Sequence, residues 1–429
     1  MMTSKNKGLI VKKIVSSVLL GVVCALLSVL LKYLTEFIEV SVLEFLAESR
    51  FAILLIIMPM LGLLSIWLSN RFIFKGPASK GITEVLDVVG KQSKSLNPMK
   101  IVSHFFSGLV TVSTGGSTGI EVSSVISSGA IGSVFSDVVR DAKFKRYMVM
   151  AGAAAGIATL FNSPLGGLFF VIEILLTGAI SLELLSVIGL ALAGAYFVTW
   201  NLDSTSLFKV TIREWHWHAI PYFIGFSIIT ALVSVYLTKL VVVTKSIFVR
   251  NFMGVNRVLY GGLLTGLCLF LFLPLYGEGY KTIQELLTGD STHFISGIFG
   301  NKFSGSFLLL CLILVLLVKP IATSLTLASG GDGGVFAPSL FLGAIAGLFF
   351  SHGLNIVASA NLIEVNFMIV GMAAILGASI HAPLTAVFLI ASITGSYVLF
   401  LPLLMTSILS KVISKMILPY TVYSYARAK

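Results

Sequence analysis

Charge is what this sequence has least of. Asp, Glu, Lys and Arg together make up 11% of its 429 residues, where a soluble globular chain carries about a quarter. With 57% hydrophobic residues and a mean hydropathy of +1.01, too little polar surface is left to coat a water-soluble domain. Cysteine is nearly absent: Cys24, Cys268 and Cys311 lie singly inside apolar segments with no CxxC spacing, which excludes a disulfide framework or thiolate metal site and leaves them as small core hydrophobes. There is no HExxH for a metalloprotease. No cofactor or metal is expected. Nothing hydrophilic and domain-sized follows the last apolar stretch, so no cytoplasmic regulatory domain is expected.

What the chain does have is apolar runs near or above spanning length, at residues 14–31, 51–68, 184–198, 222–237 and 307–318. Such runs need lipid on their outer faces. The first is too long, and too poorly followed by a small-residue cleavage site, to be a removed signal peptide. The net charge of +11 invites a nucleic-acid reading, but its placement opposes one. Lys5, Lys7, Lys12 and Lys13 precede the first run, Arg140, Lys143, Lys145 and Arg146 form a second knot, and Lys411, Lys415, Arg427 and Lys429 close the chain. These are the flanks that the positive-inside rule puts in the cytoplasm, with both termini there.

The remaining apolar segments are short and broken by Gly or Pro: residues 119–132, 164–176, 335–350 and 383–393. Half-length helices are tolerated at membrane depth only where protein or a water-filled cavity covers their free backbone groups, and they point to a transport site. They also repeat. Residues 148–173 parallel 367–392 at one offset, pairing Gly152 with Gly371, Ala154 with Ala373, Pro164 with Pro383 and Phe169 with Phe388. Upstream, residues 115–133 parallel 329–347 and share Gly-Ala-Ile. Two ordered pairs predict one membrane domain over 1–427. It divides into a first half (about 10–200), a polar joint (about 199–218) and a second half (about 219–427).

Two Gly-rich loops each open an apolar helix: Gly115-Gly116-Ser117-Thr118-Gly119 before Ile120, and Ser329 to Gly334 before Val335. Free N–H groups and the dipole at such helix starts would bind an anion without a full positive charge. Glycines also serve close helix packing, and the loops alone leave both readings open. Glu121 decides between them. An ionisable residue at the start of an apolar helix is expensive in lipid and functional by default. Its carboxylate would compete with an anion for the positive end, blocking when ionised and admitting when protonated. Burial raises a carboxyl pKa and the dipole lowers it, so titration in a usable range is expected.

Here the motifs resemble the CLC chloride channel and transporter family. Gly119-Ile120-Glu121-Val122-Ser123 is similar to its GREGP loop, and Gly334, Phe336 and Pro338 to its GxFxP region. Residues 273–280, 161–173 and 377–404, and Thr421-Val422-Tyr423-Ser424, follow in the family's order. The resemblance implies an all-α polytopic membrane protein, an inverted repeat of two halves with tilted and broken helices, forming homodimers in a bacterial inner membrane. It implies Glu121 as the gate. Gly119, Ile120, Gly334, Val335, Phe336 and the Tyr423 hydroxyl would line the anion path. Ser79 and Lys80 stand where the family has GSGIP, with Lys80 at the serine. Glu173 precedes, and Ile174 occupies, the place of the second glutamate in proton-coupled members. An isoleucine cannot relay a proton, so a passive conductance and an exchange by another route, through Glu173 or water, both stay open. Glu173 is equally readable as a structural carboxylate at the subunit interface. His381 reads as a loop histidine.

The expected activity is transport of small anions, chloride foremost, with protons as a second substrate if exchange holds; fluoride or nitrate are the other anions to consider. Against an intramembrane hydrolase, Asp332 lacks a second intramembrane Asp partner, since Asp87 and Asp137 sit in polar or basic surroundings. A non-transporting structural membrane protein would give no reason for Glu121.

Overall fold

The computed structural model describes residues 4–48, 53–75, 81–90, 95–139, 141–176, 178–291, 294 and 307–425. Among them the regular elements are helices, and seven segments are long and apolar enough to cross a membrane. A long first helix, α1 (Ser4–Glu48), is followed by α2 (Leu54–Phe72), α3 (Thr83–Gly90), α4 (Met99–Ser113), α5 (Glu121–Phe135) and α6 (Ala142–Leu160). The short α7 (Pro164–Phe170) and α8 (Leu182–Leu202) complete the first half. The second half runs through α9 (Ile220–Asn251), α10 (Val255–Leu271), α11 (Tyr280–Leu287), α12 (Leu308–Ala328), α13 (Phe336–Ala358), α14 (Glu364–Ser379), α15 (Pro383–Ile393) and α16 (Phe400–Ile417). All 21 residues of α12 are helical although Pro320 lies within it.

Lipid offers helices no hydrophobic drive to associate, so close packing has to come from small residues. The helix contacts show this at atomic scale. On the α5–α6 face, a Cβ added to Gly132 would lie 2.2 Å from Met148 O, and one on Gly152 2.2 Å from Ser128 O. On the α13–α14 face, Gly347 would meet Phe367 O at 2.1 Å and Gly371 would meet Gly343 O at 2.2 Å. The contacts correspond: Gly152 and Gly371, and Met148 and Phe367, are pairs of the sequence repeat, while on α5 and α13 the contacting residues lie one position out of the register it gave. The long α1 docks on α8 in the same manner, Gly21 lying against Ala191 O and Gly194 against Val18 O.

The two Gly-rich loops repeat each other bond for bond. α4 and α12 both end with a glycine at positive φ, Gly115 (+97°) and Gly330 (+103°), the left-handed conformation that glycine adopts without penalty. The next N–H then reaches back, Gly116 to Thr111 O (2.7 Å) and Gly331 to Thr326 O (3.1 Å). The two threonines cross over to the opposite loop: Ser117 N–H donates to Thr326 Oγ1 (3.1 Å), and Asp332 N–H to Thr111 Oγ1 (3.0 Å). An antiparallel bridge joins Gly119 to Gly334. Further along, Phe169 and Phe388, also repeat partners, stack at 4.8 Å and 5°. A local two-fold relation between inverted halves accounts for all of these contacts.

Candidate functional site

The crossed loops bring the starts of α5 and α13 together at the centre of the chain. Neither start has a side-chain cap; Ile120 and Val335 precede them with backbone only. Glycine is forced at the joint. A Cβ on Gly119 would sit 2.1 Å from Glu121 Oε2 and 2.7 Å from Ala337 Cβ, and one on Gly334 would sit 2.3 Å from Val122 Cγ2 and 2.9 Å from the Tyr423 hydroxyl. Thr118 Oγ1 donates to Gly334 O at 2.8 Å and fixes the two strands of the joint.

Glu121 occupies this joint with 1% of its surface exposed. Oε1 accepts a 2.6 Å hydrogen bond from the Tyr280 hydroxyl. Oε2 closes none, although the backbone N–H groups of Glu121 and Ala337 face the carboxylate. A carboxylate at the amide ends of two helices, as the sequence predicts, is therefore in place. On the other side of the joint the predicted anion-path residues converge. Val335 and Phe336 are fully buried, the Phe336 and Tyr423 rings lie 6.5 Å apart, and the buried Tyr423 hydroxyl makes no hydrogen bond. Ser79 and Lys80 lie outside the described residues.

Ile120 departs from expectation. Its N–H does not stay free for an anion, because Glu278 Oε1 accepts it at 3.0 Å. Glu278 belongs to the loop between α10 and α11, where Gly277 (φ +53°) and Gly279 (+80°) turn the chain back on itself. Lys319 of α12 holds that loop from behind. Fully buried, its ammonium donates to Leu275 O and Gly277 O at 3.1 Å each and rests 4.7 Å over the Phe341 ring. Tyr280 follows directly and packs edge-on against Phe208 at 5.9 Å. A cavity of about 480 Å³ opens from Glu121 past Glu278 and Tyr280 to Glu39 and Lys32 of α1.

Glu173 is spent elsewhere. Its carboxylate accepts Leu384 N–H (3.2 Å), Thr385 N–H (2.7 Å) and Thr385 Oγ1–H (2.7 Å), capping α15 across the two halves, while Ile174 packs half-buried against the core. Asp332 pairs with His104 of α4 at 2.6 Å, both side chains buried, and its partner is thus a histidine, not a second aspartate. His381 sits half-buried in the turn before α15 at φ +56°.

Sequence reasoning missed Glu278, Tyr280 and Lys319. The signal was present for two of them. Glu278 between glycines in Leu273-Pro-Leu-Tyr-Gly-Glu-Gly-Tyr280, and Lys319 within an apolar helix, are ionisable groups in apolar surroundings, the same criterion that singles out Glu121.

The family described as voltage gated chloride channel matches residues 61–415. The chain belongs to that family. A putative chloride channel protein ClcB-like of Ralstonia nicotianae is 26% identical over 383 residues, covering 87% of this chain and 85% of that protein. An H(+)/Cl(-) exchange transporter ClcA of Vibrio vulnificus is 30% identical over 314 residues, 71% of this chain and 64% of the transporter's length. In fold, the chain superimposes on the crystal structure of a slow cyanobacterial Cl-/H+ antiporter with a TM-score of 0.80, at 20% identity and 97% coverage of both chains. This integral membrane protein matches the family over residues 61–415 and shares the antiporter's fold over 97% of its length.

Proposed function

We propose that this protein moves small inorganic anions, chloride foremost, across a membrane along a path closed by the Glu121 carboxylate. The observation that carries this reading is the placement of Glu121: buried where the amide ends of α5 and α13 meet, with one oxygen unpaired. That position is where an anion would bind, and the carboxylate fills it while charged. Protonation removes the charge and frees the amides for the anion. Val335, Phe336 and the Tyr423 hydroxyl form the next anion position inward. Two such halves, about 10–200 and 219–427, make one pathway in each subunit of a homodimer in a bacterial inner membrane, termini in the cytoplasm.

The relatives include a protein named a channel and one named an exchanger, so proton coupling is decided by experiment. Purified protein is placed in liposomes under an outward chloride gradient. Chloride-driven proton movement from equal pH establishes exchange; chloride efflux that needs a potassium ionophore and moves no protons establishes conduction. In either case Glu121→Gln gives flux independent of pH and abolishes any proton coupling. Retention of the full pH response by Glu121→Gln refutes the gate.

A further inference from the structure

The cavity in front of Glu121 has the wrong sign for a chloride entrance. α1 contributes Glu36, Glu39 and Lys32 to its wall; α11 contributes Lys281 and Glu285; Glu278 and Glu121 form its floor with Tyr280. Lys32 is already committed to Asp203 at 2.5 Å. Lys319, behind the floor, is a buried cation whose charge acts on both Glu39 and Glu278. Acidic walls repel anions and concentrate protons. Glu278 and Glu121 also sit on adjoining amides of one helix start, Glu278 on the Ile120 N–H and Glu121 facing its own. Two carboxylates held that close in a medium of low dielectric do not both stay ionised. The unpaired Oε2 of Glu121, on a side chain almost fully buried at the cavity floor, leaves an acceptor for the shared proton.

We propose that Glu278 is a second proton-binding carboxylate of the gate, which takes a proton from the acidic cavity and shares it with Glu121. The O–H bond forms first at Glu278, as a hydronium in the cavity gives up its proton and is left as water. It then breaks as Glu121 Oε2 takes the proton directly or through one water, and the negative charge passes back to Glu278. The pair titrates as a unit, with Lys319 limiting the charge it accumulates. The proposal rests on Glu121 as the gate, and the test separates the two.

Chloride flux from proteoliposomes is measured against pH for the wild type, Glu278→Gln, Glu278→Asp and Glu121→Gln, together with infrared titration of protonated carboxyl groups. Glutamine keeps an acceptor for the Ile120 N–H but removes the charge that disfavours ionisation of Glu121. Glu278→Gln therefore stays pH-dependent, with its midpoint about one pH unit more acid, roughly tenfold less flux at a fixed pH on the rising limb. Glu278→Asp returns toward the wild type. In the infrared, Glu121→Gln retains a titrating buried carboxyl that Glu278→Gln lacks. A wild-type midpoint and an undiminished carboxyl signal in Glu278→Gln, beside a pH-flat Glu121→Gln, overturn the role of Glu278 and leave the gate standing. A pH-responsive Glu121→Gln overturns both. Should Glu278→Gln fold poorly, Glu121→Gln alone still decides: absence of any remaining titrating carboxyl overturns the proposal.

Discussion

Glu173 is where the reading of this chain as a proton path and its reading as architecture diverge most sharply. The carboxylate accepts three hydrogen bonds from the first turn of α15, two from N–H groups and one from the Thr385 hydroxyl, and Thr385 is fully buried. Truncation to alanine leaves those donors without a partner at membrane depth. Hydrogen bonds to a charged group are each worth about 1.5–3 kcal/mol, but a half-buried carboxylate regains part of its desolvation cost on removal, and deleting an N-cap alone costs about 0.5–2 kcal/mol. We expect Glu173→Ala to destabilise by about 2–3 kcal/mol. At about 2 cal/mol/K per residue of unfolding entropy, that lowers the melting temperature of a chain this long by roughly 3 °C. Glu173→Gln keeps one acceptor oxygen and loses about a third as much. The assay is thermal unfolding in detergent, followed by tryptophan fluorescence, with flux and proton movement measured on the same preparation. A cap predicts lowered melting with proton coupling unchanged in Glu173→Gln. Unchanged melting together with lost proton movement would refute the capping role and return Glu173 to the proton route.

Two further substitutions test the surroundings of the gate and the turn before α15. Tyr280→Phe removes the one side-chain hydrogen bond that stabilises the Glu121 carboxylate; at about 1.4 kcal/mol per pH unit, protonation becomes easier and the flux midpoint moves alkaline by about one unit. That sign is opposite to the sign for Glu278→Gln, so a shared direction in the two pH profiles would be inconsistent with the geometry. His381 is pushed down to about 4 by burial first and then by the Lys415 and Lys411 charges. It is neutral through the physiological range, and His381→Gln leaves the flux profile between pH 5 and 8 unchanged.

The legible part of this protein was whatever depends on local pattern. Apolar runs marked the spanning helices, the Gly-rich loops marked the two unpaired helix starts, and the matched segments 148–173 and 367–392 paired Phe169 with Phe388 as equivalents, which the structure stacks on each other. Glu121 was legible because a carboxylate at a helix start has an electrostatic meaning in one dimension. What was not legible depends on three-dimensional closure. That Glu278 reaches back 158 residues to the Ile120 N–H, or that Lys319 grips the carbonyls of Leu275 and Gly277, follows only when α10, α11 and α12 are packed. For the same reason Glu173 read equally as relay and as structure until the first turn of α15 was placed on it.

The departure at Ile120 now has a physical counterpart. The related loop carries an arginine there, which would draw anions to the outer end of the path; this chain carries isoleucine, and a glutamate takes the isoleucine's amide. Both changes make that end less attractive to an anion while Glu278 is charged. The compensating cation is Lys319, one layer behind, where it holds backbone and cannot meet the ion directly. On the proposal above, two protons act in turn. The one passed to Glu121 releases it from the amides of α5 and α13, and the next, bound at Glu278, lifts the repulsion that Glu278 sets across the entrance. Anion entry at this end would then depend on pH more steeply than a lone gating carboxylate allows, because one proton changes the occupancy of the site and the other the field in front of it. Restoring the family's residue with Ile120→Arg separates the two effects. It supplies the missing charge beside Glu278 without touching Glu121, so flux should rise at alkaline pH and the profile should flatten, while the response of the gate itself persists.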